Sequence, residues 1–350
     1  MTTHKIGFCC KWINDPCEIG GSKPSSVDRD LNGRSTTMRW LREHADQAEA
    51  RQWDIMNHNA AAAVRLIERV ATLPENRRMV RLGSEMLQGY THEDWIPFWK
   101  QTDVQAHCEK IFAPVGETAR RLGVRLSFHP GQFCVLASEN DGIVERSILE
   151  FEYHADLARW MGYGKSWHDH GFKINVHLSG KGGVTKFLKT LSRLSPEARN
   201  LITIENDEMT NGIDSTLLVA EHVALVLDVH HHWINSGEYI TPADPRAQRV
   251  VESWRGVRPV LHYSVSREDI LVDHDSRVRP DLGGLLAAGF KKQKLRAHSD
   301  MMWNTACNEW ALTFGDQWDI QCEAKGKNLA SEQVYNQRLA HGTSAVLANV

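Results

Sequence analysis

The feature that most constrains the fold is an alternation of short apolar segments with helical or irregular ones along the whole chain. We identify eight segments typical of buried strands, at 5–10, 79–83, 125–129, 173–178, 201–205, 224–228, 259–262 and 318–322. Eight strands that alternate with helices, without a change in composition, predict one α/β domain, a (β/α)8 TIM barrel. The predicted domain covers residues 1–342, with extended loops at 12–37 and 264–296 and a flexible tail at 343–350.

Composition is that of an ordinary globular protein. Hydrophobic residues make up 41% and charged residues 24% of the 350 residues, and no apolar run is long enough to cross a membrane. The seven cysteines are odd in number and lack CxxC spacing, so we expect a cytoplasmic monomer with no membrane partner. The formal net charge of -3 gives no overall attraction to nucleic acid, which would have to be bound through local basic groups or metal cations.

Side chains that bind metals stand at, or shortly after, the carboxyl ends of these strands. In a (β/α)8 barrel all strand ends open on the face that carries active sites, so these side chains are expected to share one cleft. Any single histidine is more often a hydrogen-bonded structural residue, and His168, His170, His222, His230 and His232 are interpreted in that way. The nine residues predicted to converge are His92, His129, His177, Glu205, Asp228, His231, His262, His298 and Glu323.

Such a concentration of imidazoles and carboxylates requires cations, because charged groups are almost never buried unless they are paired or bound to metal. Nitrogen and oxygen ligands without thiolate favour Mn, Zn or Fe(II), and nine ligands allow two or three ions. Clustered divalent ions suit phosphodiester hydrolysis, since they activate water and stabilise the attacking and leaving oxygens. Basic residues that could contact a nucleic-acid backbone are Lys181, Lys291, Lys292, Lys294, Arg296, Lys325 and Lys327.

Several of these strand-end segments, in the same order along the chain, resemble the UV damage endonuclease family. The matching segments are 125–133 (RLSFHPGQF), 176–180 (VHLSG), 203–208 (TIENDE), 227–231 (LDVHH), 262–264 (HYS), 297–300 (AHSD) and 323–327 (EAKGK). The resemblance covers about residues 5–330 and extends, more distantly, to endonuclease IV and the xylose-isomerase-like barrels. It implies a barrel with up to three divalent ions, manganese first and zinc or magnesium as alternatives. It also implies cleavage of damaged duplex DNA immediately 5′ to a UV photoproduct or an abasic site.

Carried over by position, the resemblance implies the same nine ligands and gives catalytic roles to Glu205, His231 and Glu323. Glu205 and Glu323 are the candidates for carboxylates shared between ions. Gln132 lies at the family position that probes the damaged base pair from the groove. The residues predicted to contact DNA or the lesion are Phe8, Trp12, Gln132, Phe133, Lys325 and Lys327.

The sequence departs from the family where the lesion is read and where the metal site is tuned. Phe8 and Phe133 stand where the family has tyrosines, and Trp12 stands where it has an asparagine. Val260 replaces a lysine that can be carbamylated in the family. Three alternatives therefore stay open beside a repair endonuclease: a barrel acting on another nucleic-acid or nucleotide phosphate ester, a metal-dependent sugar isomerase or epimerase, and a non-catalytic binding protein.

Overall fold

A closed, all-parallel barrel of eight strands forms the centre of the computed structural model, which describes residues 4–19 and 26–347. Each strand pairs with its neighbours in chain order, and β8 pairs with β1 to close the barrel. The prediction of a (β/α)8 barrel is therefore confirmed. The strands are β1 Ile6–Cys10, β2 Met79–Leu82, β3 Arg125–Phe128, β4 Lys173–His177, β5 Ile202–Glu205, β6 Ala224–Asp228, β7 Val260–Tyr263 and β8 Asp319–Cys322.

Helices surround the barrel and connect its strands. They are α1 Ser26–Leu31, α2 Met38–Glu43, α3 Ala45–Ala71, α4 Ile96–Trp99, α5 Thr102–Leu122, α6 Asp141–Trp160, α7 Gly183–Leu191, α8 Pro196–Leu201, α9 Ile213–Leu217, α10 Val229–Ser236, α11 Pro245–Ser253, α12 Leu282–Ala287, α13 Lys292–Leu295, α14 Thr305–Leu312 and α15 Lys327–Leu347. None of the helices in the described residues is long and apolar enough to span a bilayer.

Three segments differ from what the sequence predicts. Residues 38–71 have the periodicity of a single helix, but the structure divides them into α2 and α3 because His44 has non-helical backbone angles (φ -127°, ψ 52°). The predicted loop at 12–37 contains a short 3-10 helix, Pro16–Glu18, and α1, while its residues 20–25 lie outside the described residues. The predicted flexible tail at 343–350 is helical as far as Leu347, and residues 348–350 are not among those described.

The inside of the barrel is rich in polar side chains, beside a small apolar cluster on β2, β6 and β7, whereas its outside is apolar. Side chains alternate along each strand, so residues two apart share a face. On β4, Ile174 and Val176 are buried in the main hydrophobic core with the surrounding helices, and Lys173 and Asn175 are buried among polar partners inside the barrel. The interior of such a barrel is usually packed with aliphatic side chains. Here polar side chains replace many of them and bring hydrogen-bonding groups beneath the strand ends.

The long segment after β7 forms a small hydrophobic cluster of its own against α10. Its core consists of Leu271, Leu282 and Leu295 with Trp233 and Ile234 of α10. An isolated backbone bridge between Ser266 and His298 closes the segment. The packing brings His298 back to the mouth of the barrel although it lies far from β7 in sequence.

Candidate metal centre

Glu205, the last residue of β5, lies among histidines from several other strands. Its side chain is fully buried. Its Oε2 atom is 3.5 Å from His129 Nε2 and 3.0 Å from His262 Nδ1, and its Oε1 atom is 3.4 Å from His231 Nδ1. His177 adjoins the group, with its ring centroid 5.1 Å from that of His129. Four strand ends therefore meet around one carboxylate.

Glu323, which follows β8, extends the cluster. Its Oε1 atom is 3.3 Å from His262 Nδ1, and its Oε2 atom is 3.9 Å from His298 Nδ1. On another side, Asp228 Oδ2 is 3.8 Å from His231 Nδ1. Contacts of this kind connect eight of the nine predicted ligands: His129, His177, Glu205, Asp228, His231, His262, His298 and Glu323.

Two groups of donor atoms in this cluster are compact enough to hold a metal ion. His129, His177 and Glu205 offer one ligand atom each within 4.8 Å of one another, and so do Glu205, Asp228 and His262. Glu205 belongs to both groups, which is the geometry expected of a carboxylate shared by two neighbouring ions.

Buried polar atoms without partners show that the donor set fits metal ions. His177 Nδ1, Glu205 Oε1, Asp228 Oδ2 and His262 Nδ1 are all buried and make no hydrogen bond. A buried polar atom without a partner loses its hydration without compensation. Four such atoms lie in one cleft, all of types that coordinate Mn, Zn or Fe(II), and bound cations would satisfy them together.

The start of α10 explains how Asp228 and His231 reach the same pocket. Asp228 is the N-cap of α10, and its Oδ1 atom accepts a hydrogen bond from the backbone N–H of His231 at 2.8 Å. Capping uses one carboxylate oxygen and leaves Oδ2 free toward the cleft. Asn206 supports both residues: its side chain bonds the backbone of Asp228, and its carbonyl lies 3.1 Å from His231 Nδ1.

The pKa values in the cluster reflect an excess of buried negative charge. Burial raises the pKa of Asp228 well above its usual range, and the nearby Glu205 adds to the effect. Burial alone would lower the pKa of His231, but the carboxylates of Asp228 and Glu205 outweigh it and raise that pKa to about 9. Burial would raise the pKa of Glu205, but His262 and His177 hold it well below its usual range. Divalent cations would neutralise the same excess.

Three polar side chains inside the barrel support the ligands from below, and none was predicted. Arg81 of β2 donates a hydrogen bond to Glu323, and Asn175 of β4 donates one to Glu205. Lys173 Nζ lies 3.0 Å from His262 Nε2. Strand alternation was the available signal, because Asn175 and Lys173 lie two and four residues before the predicted ligand His177.

Glu208 is another acidic residue at the cleft that was not predicted. Its Oε2 atom lies 3.9 Å from His231 Nε2, and its Oε1 atom accepts a hydrogen bond from Arg296 Nη1 at 2.6 Å. Arg296 follows α13, so this ion pair connects the loop after β5 to the long segment after β7.

His92, the ninth predicted ligand, contacts none of the other eight within the part of the chain that the structure describes, and its role as a ligand stays a prediction. It lies in the loop after β2, where its recorded side-chain partners in the described residues are Arg42 and Asp94. Arg42 and Asp94 form an ion pair of 2.8 Å, and hydrogen-bonded turns at Gly89 and Trp95 hold the backbone around His92. The loop thus turns its histidine toward α2 rather than toward the barrel axis.

Comparison with known proteins agrees with this geometry. The family model described as UV-endonuclease UvdE matches residues 25–342. The chain belongs to this UV-endonuclease family. A curated UV-damage endonuclease of Neurospora crassa is 29% identical over 217 residues, which cover 57% of this chain and 32% of that protein. The chain thus spans about a third of the length of this relative.

Solved structures share the fold. The crystal structure of SacUVDE matches with a TM-score of 0.69 and 19% identity, over 97% of this chain and 99% of that one. Endonuclease IV from Thermus thermophilus matches with a TM-score of 0.50 and 12% identity, over 78% of this chain and 91% of that one. Both support the (β/α)8 barrel predicted from the sequence.

Two predicted DNA contacts near β1 are not placed at the mouth of the cleft. Phe8 is 1% exposed and lies in the hydrophobic core outside the barrel, because the inward position belongs to its neighbour Cys9, which bonds Gln321. The prediction for Phe8 is therefore wrong. Trp12 is half-buried, packs edge-on against Phe8 and lies under the guanidinium of Arg69, so its ring serves the helix packing.

The other four predicted DNA contacts lie in loops at the carboxyl end of the barrel. Gln132 and Phe133 form the tip of a tight turn after β3, closed by a hydrogen bond from Cys134 N to Gly131 O of 2.9 Å, and Phe133 is 85% exposed. After β8, Lys325 is exposed and pairs with Asp300 at 2.7 Å, and Lys327 is half-buried with a left-handed backbone (φ 49°).

Proposed function

We propose that the protein is a metal-dependent DNA repair endonuclease. It hydrolyses the phosphodiester immediately 5′ to a lesion, a UV photoproduct or an abasic site, in duplex DNA. Family membership supports the repair endonuclease activity. The observation that carries metal dependence is the set of four buried donor atoms without hydrogen bonds at the end of the barrel.

Two ions, or three, are the proposed cofactors, with Mn²⁺ first and Zn²⁺ or Mg²⁺ as alternatives. The two compact groups that share Glu205 account for two ions, and His231, His298 and Glu323 remain beside them for a third. When bound, such ions supply hydroxide near neutral pH and stabilise charge on the phosphate oxygens.

Glu205, His231 and Glu323 are the proposed catalytic residues. Glu205 fixes the spacing of the two groups because its oxygens face both of them. Without metal, the carboxylates of Asp228 and Glu205 raise the pKa of His231 to about 9, so this site favours positive charge, which a bound ion would supply to the neutral ring. Glu323 is held in place by Arg81, which leaves its Oε2 atom toward His298.

The exposed turn after β3 is the proposed lesion probe. Phe133 presents a ring to solvent beside the cleft, where it can stack on a base or insert into a base step, and Gln132 can hydrogen-bond a base edge. Lys325 and Lys327 are the proposed contacts to the phosphate backbone of the DNA. Because the chain has a net charge of -3, contacts to phosphate need local cationic side chains. The monomeric state and the cytoplasmic location stay predictions.

The test combines metal analysis with incision of defined DNA. The purified protein is loaded with Mn²⁺, its bound metal is counted, and it is given duplexes that carry a UV photoproduct, an abasic site or no lesion. We expect cleavage of the damaged strand alone, with end-labelled products that map directly 5′ to the lesion. Metal-loaded protein that cuts neither damaged duplex would contradict the proposal.

A matched pair of variants connects activity to the cluster. Glu205→Gln removes the shared carboxylate, so we expect bound metal to fall and incision to drop by a factor on the order of 10³. Glu145→Gln makes the same change at an exposed glutamate that pairs with Arg193 on the surface, and is expected to cut like the wild type. Equal activity of the two variants would remove Glu205 from the mechanism.

A further inference from the structure

Lys173 is a buried lysine that has no carboxylate partner. Its side chain is 1% exposed and lies inside the barrel, on the same face of β4 as His177. Among the described residues, the one hydrogen-bond partner of its Nζ atom is His262 Nε2, at 3.0 Å. The lysine thus contacts the cluster through a single ring nitrogen.

The opposite nitrogen of the same ring faces the proposed ions. His262 Nδ1 lies 3.0 Å from Glu205 Oε2 and 3.3 Å from Glu323 Oε1, and it makes no hydrogen bond. It also belongs to the compact donor group of Glu205 and Asp228. The imidazole is therefore held at Nε2 by the lysine and presents Nδ1 to the cleft.

Strand β7 itself offers no polar support to this ring. The inward residue one step below His262 is Val260, which packs with Val226, Ala224 and Trp254 in a small apolar cluster. Support for Nε2 must therefore come from across the barrel, and Lys173 provides it. For packing alone, an apolar side chain would serve better at this place, because burial of a polar amine with a single hydrogen bond is unfavourable.

We propose that Lys173 is a positioning residue that fixes the ring of His262 with Nδ1 toward the ion shared with Glu205 and Asp228. A half-turn of an imidazole ring exchanges Nδ1 with a carbon atom, which cannot bind metal. The hydrogen bond at Nε2 forms in only one of the two ring orientations and therefore favours it. An amine can donate or accept a hydrogen bond, so it keeps this bond whichever of the two ring nitrogens holds the proton. The inference rests on the proposed metal centre.

The first experiment measures metal affinity and metal-free stability of Lys173→Met. Loss of the hydrogen bond at Nε2 is expected to weaken Co²⁺ and Mn²⁺ binding at the shared site by about 10–100-fold, the usual effect of removing a support for a ligand. Replacement of a buried polar amine by an apolar side chain is expected to leave the metal-free protein at least as stable in urea as the wild type. A structural lysine would give the reverse pattern, with lower stability and unchanged affinity, and that result would overturn the inference.

A double-mutant cycle tests whether Lys173 acts through His262. In a His262→Ala background, Lys173→Met is expected to cause no further loss of metal affinity, because the ring that it positions is absent. The visible absorption of the Co²⁺-loaded Lys173→Met protein is expected to shift toward that of Co²⁺-loaded His262→Ala. An equal loss of affinity in both backgrounds would assign the effect to charge rather than to position and would overturn the inference.

Two controls keep the outcomes separate. Lys5→Met changes a lysine at the other end of the barrel, whose Nζ atom bonds the carbonyls of Glu75 and Gly123, and is expected to leave metal affinity unchanged. Lys173→Leu repeats the test with a different apolar side chain in case the methionine variant does not fold. A wild-type protein that binds no metal contradicts the proposed function itself, whereas wild-type affinity in folded Lys173 variants contradicts only the role of Lys173.

Discussion

The two ends of the barrel interior both bury charged side chains, but they differ in whether the oxygens of their buried carboxylates all have hydrogen-bond partners. At the amino end, Asp319 is 2% exposed, and its Oδ2 atom accepts a hydrogen bond from Arg125 Nη1 at 2.8 Å. Its Oδ1 atom accepts from Arg258 Nε at 2.9 Å and from the backbone N–H of Lys5 at 2.8 Å. Both oxygens of this buried carboxylate are therefore satisfied.

At the carboxyl end, the buried carboxylates keep oxygens without hydrogen bonds. Glu205 Oε1 and Asp228 Oδ2 have no such partner, and the neighbouring nitrogens belong to imidazoles rather than to permanent cations. Burial is equally deep at the two ends, so depth does not distinguish a structural charge from a functional one. The distinction lies in whether the protein itself completes the hydrogen bonds.

Removing one carboxylate from each end gives the largest contrast in stability. Asp319→Asn leaves the guanidinium of Arg125 buried without its counter-charge and is expected to lower the free energy of unfolding by about 3–5 kcal/mol. Glu205→Gln leaves mainly imidazoles, and burial holds the pKa of His262 at about 4, so that ring is neutral near pH 7. We expect the metal-free Glu205→Gln protein to differ from the wild type by less than about 1 kcal/mol.

The measurement is urea denaturation in the presence of a chelator at pH 7, with the wild type as reference. If Glu205→Gln loses as much stability as Asp319→Asn, then both ends of the barrel are structural and the contrast between them is broken.

Phe133→Ala sharpens the same contrast at the rim of the carboxyl end. The ring is 85% exposed, so its loss is expected to change the free energy of unfolding by less than about 0.5 kcal/mol. If the ring stacks on bases, affinity for damaged duplex DNA should fall by about 1–3 kcal/mol. Leu218→Ala, at another exposed apolar residue (67% exposed), is the control and is expected to bind DNA normally. Equal DNA affinity of Phe133→Ala and the wild type would exclude the turn as a lesion probe.

The sequence was sufficient for the barrel, and eight of the nine residues predicted as ligands lie together in the structure, because one rule connects the two. Their role as ligands stays a prediction. In a parallel barrel, the last residue of every strand lies on the same face, so a ligand such as Glu205 or His262 is located by its strand alone. His92 follows no such rule, since it lies well inside a long loop whose direction depends on the pairing of Arg42 with Asp94.

Residues one step from a strand end depend on the direction of the side chain, which a single strand does not reveal. Phe8 was expected at the cleft, but Cys9 has the inward position and Phe8 faces the helices. The same alternation, counted back from His177, would have placed Asn175 and Lys173 beneath the ligands. Their partners on β5 and β7 could not be inferred, because register across the barrel is fixed by packing rather than by local pattern.

The last expected effect concerns a buried histidine of the amino end. His168 is fully buried, its Nδ1 atom lies 3.0 Å from the carbonyl of Phe172, and burial lowers its pKa to about 3. At pH values below the ordinary pKa of a histidine in an unfolded chain, the side chain of His168 binds a proton in the unfolded state but not in the folded state. Stability from this group is therefore present above about pH 6.5 and is lost as the pH falls, at about 1.4 kcal/mol per pH unit.

His168→Asn removes the imidazole and should therefore remove that share of the pH dependence of stability. Asparagine keeps an N–H donor and tolerates the left-handed backbone of this position (φ 41°). The measurement is urea denaturation of metal-free protein between pH 7 and 4.5. His170→Asn is the matched control, because it makes the same replacement at an exposed left-handed residue (φ 55°) and keeps the buried ring. If His168→Asn loses stability with falling pH as steeply as the wild type, the buried ring of His168 makes no contribution to acid sensitivity, which then belongs to the histidines of the carboxyl end.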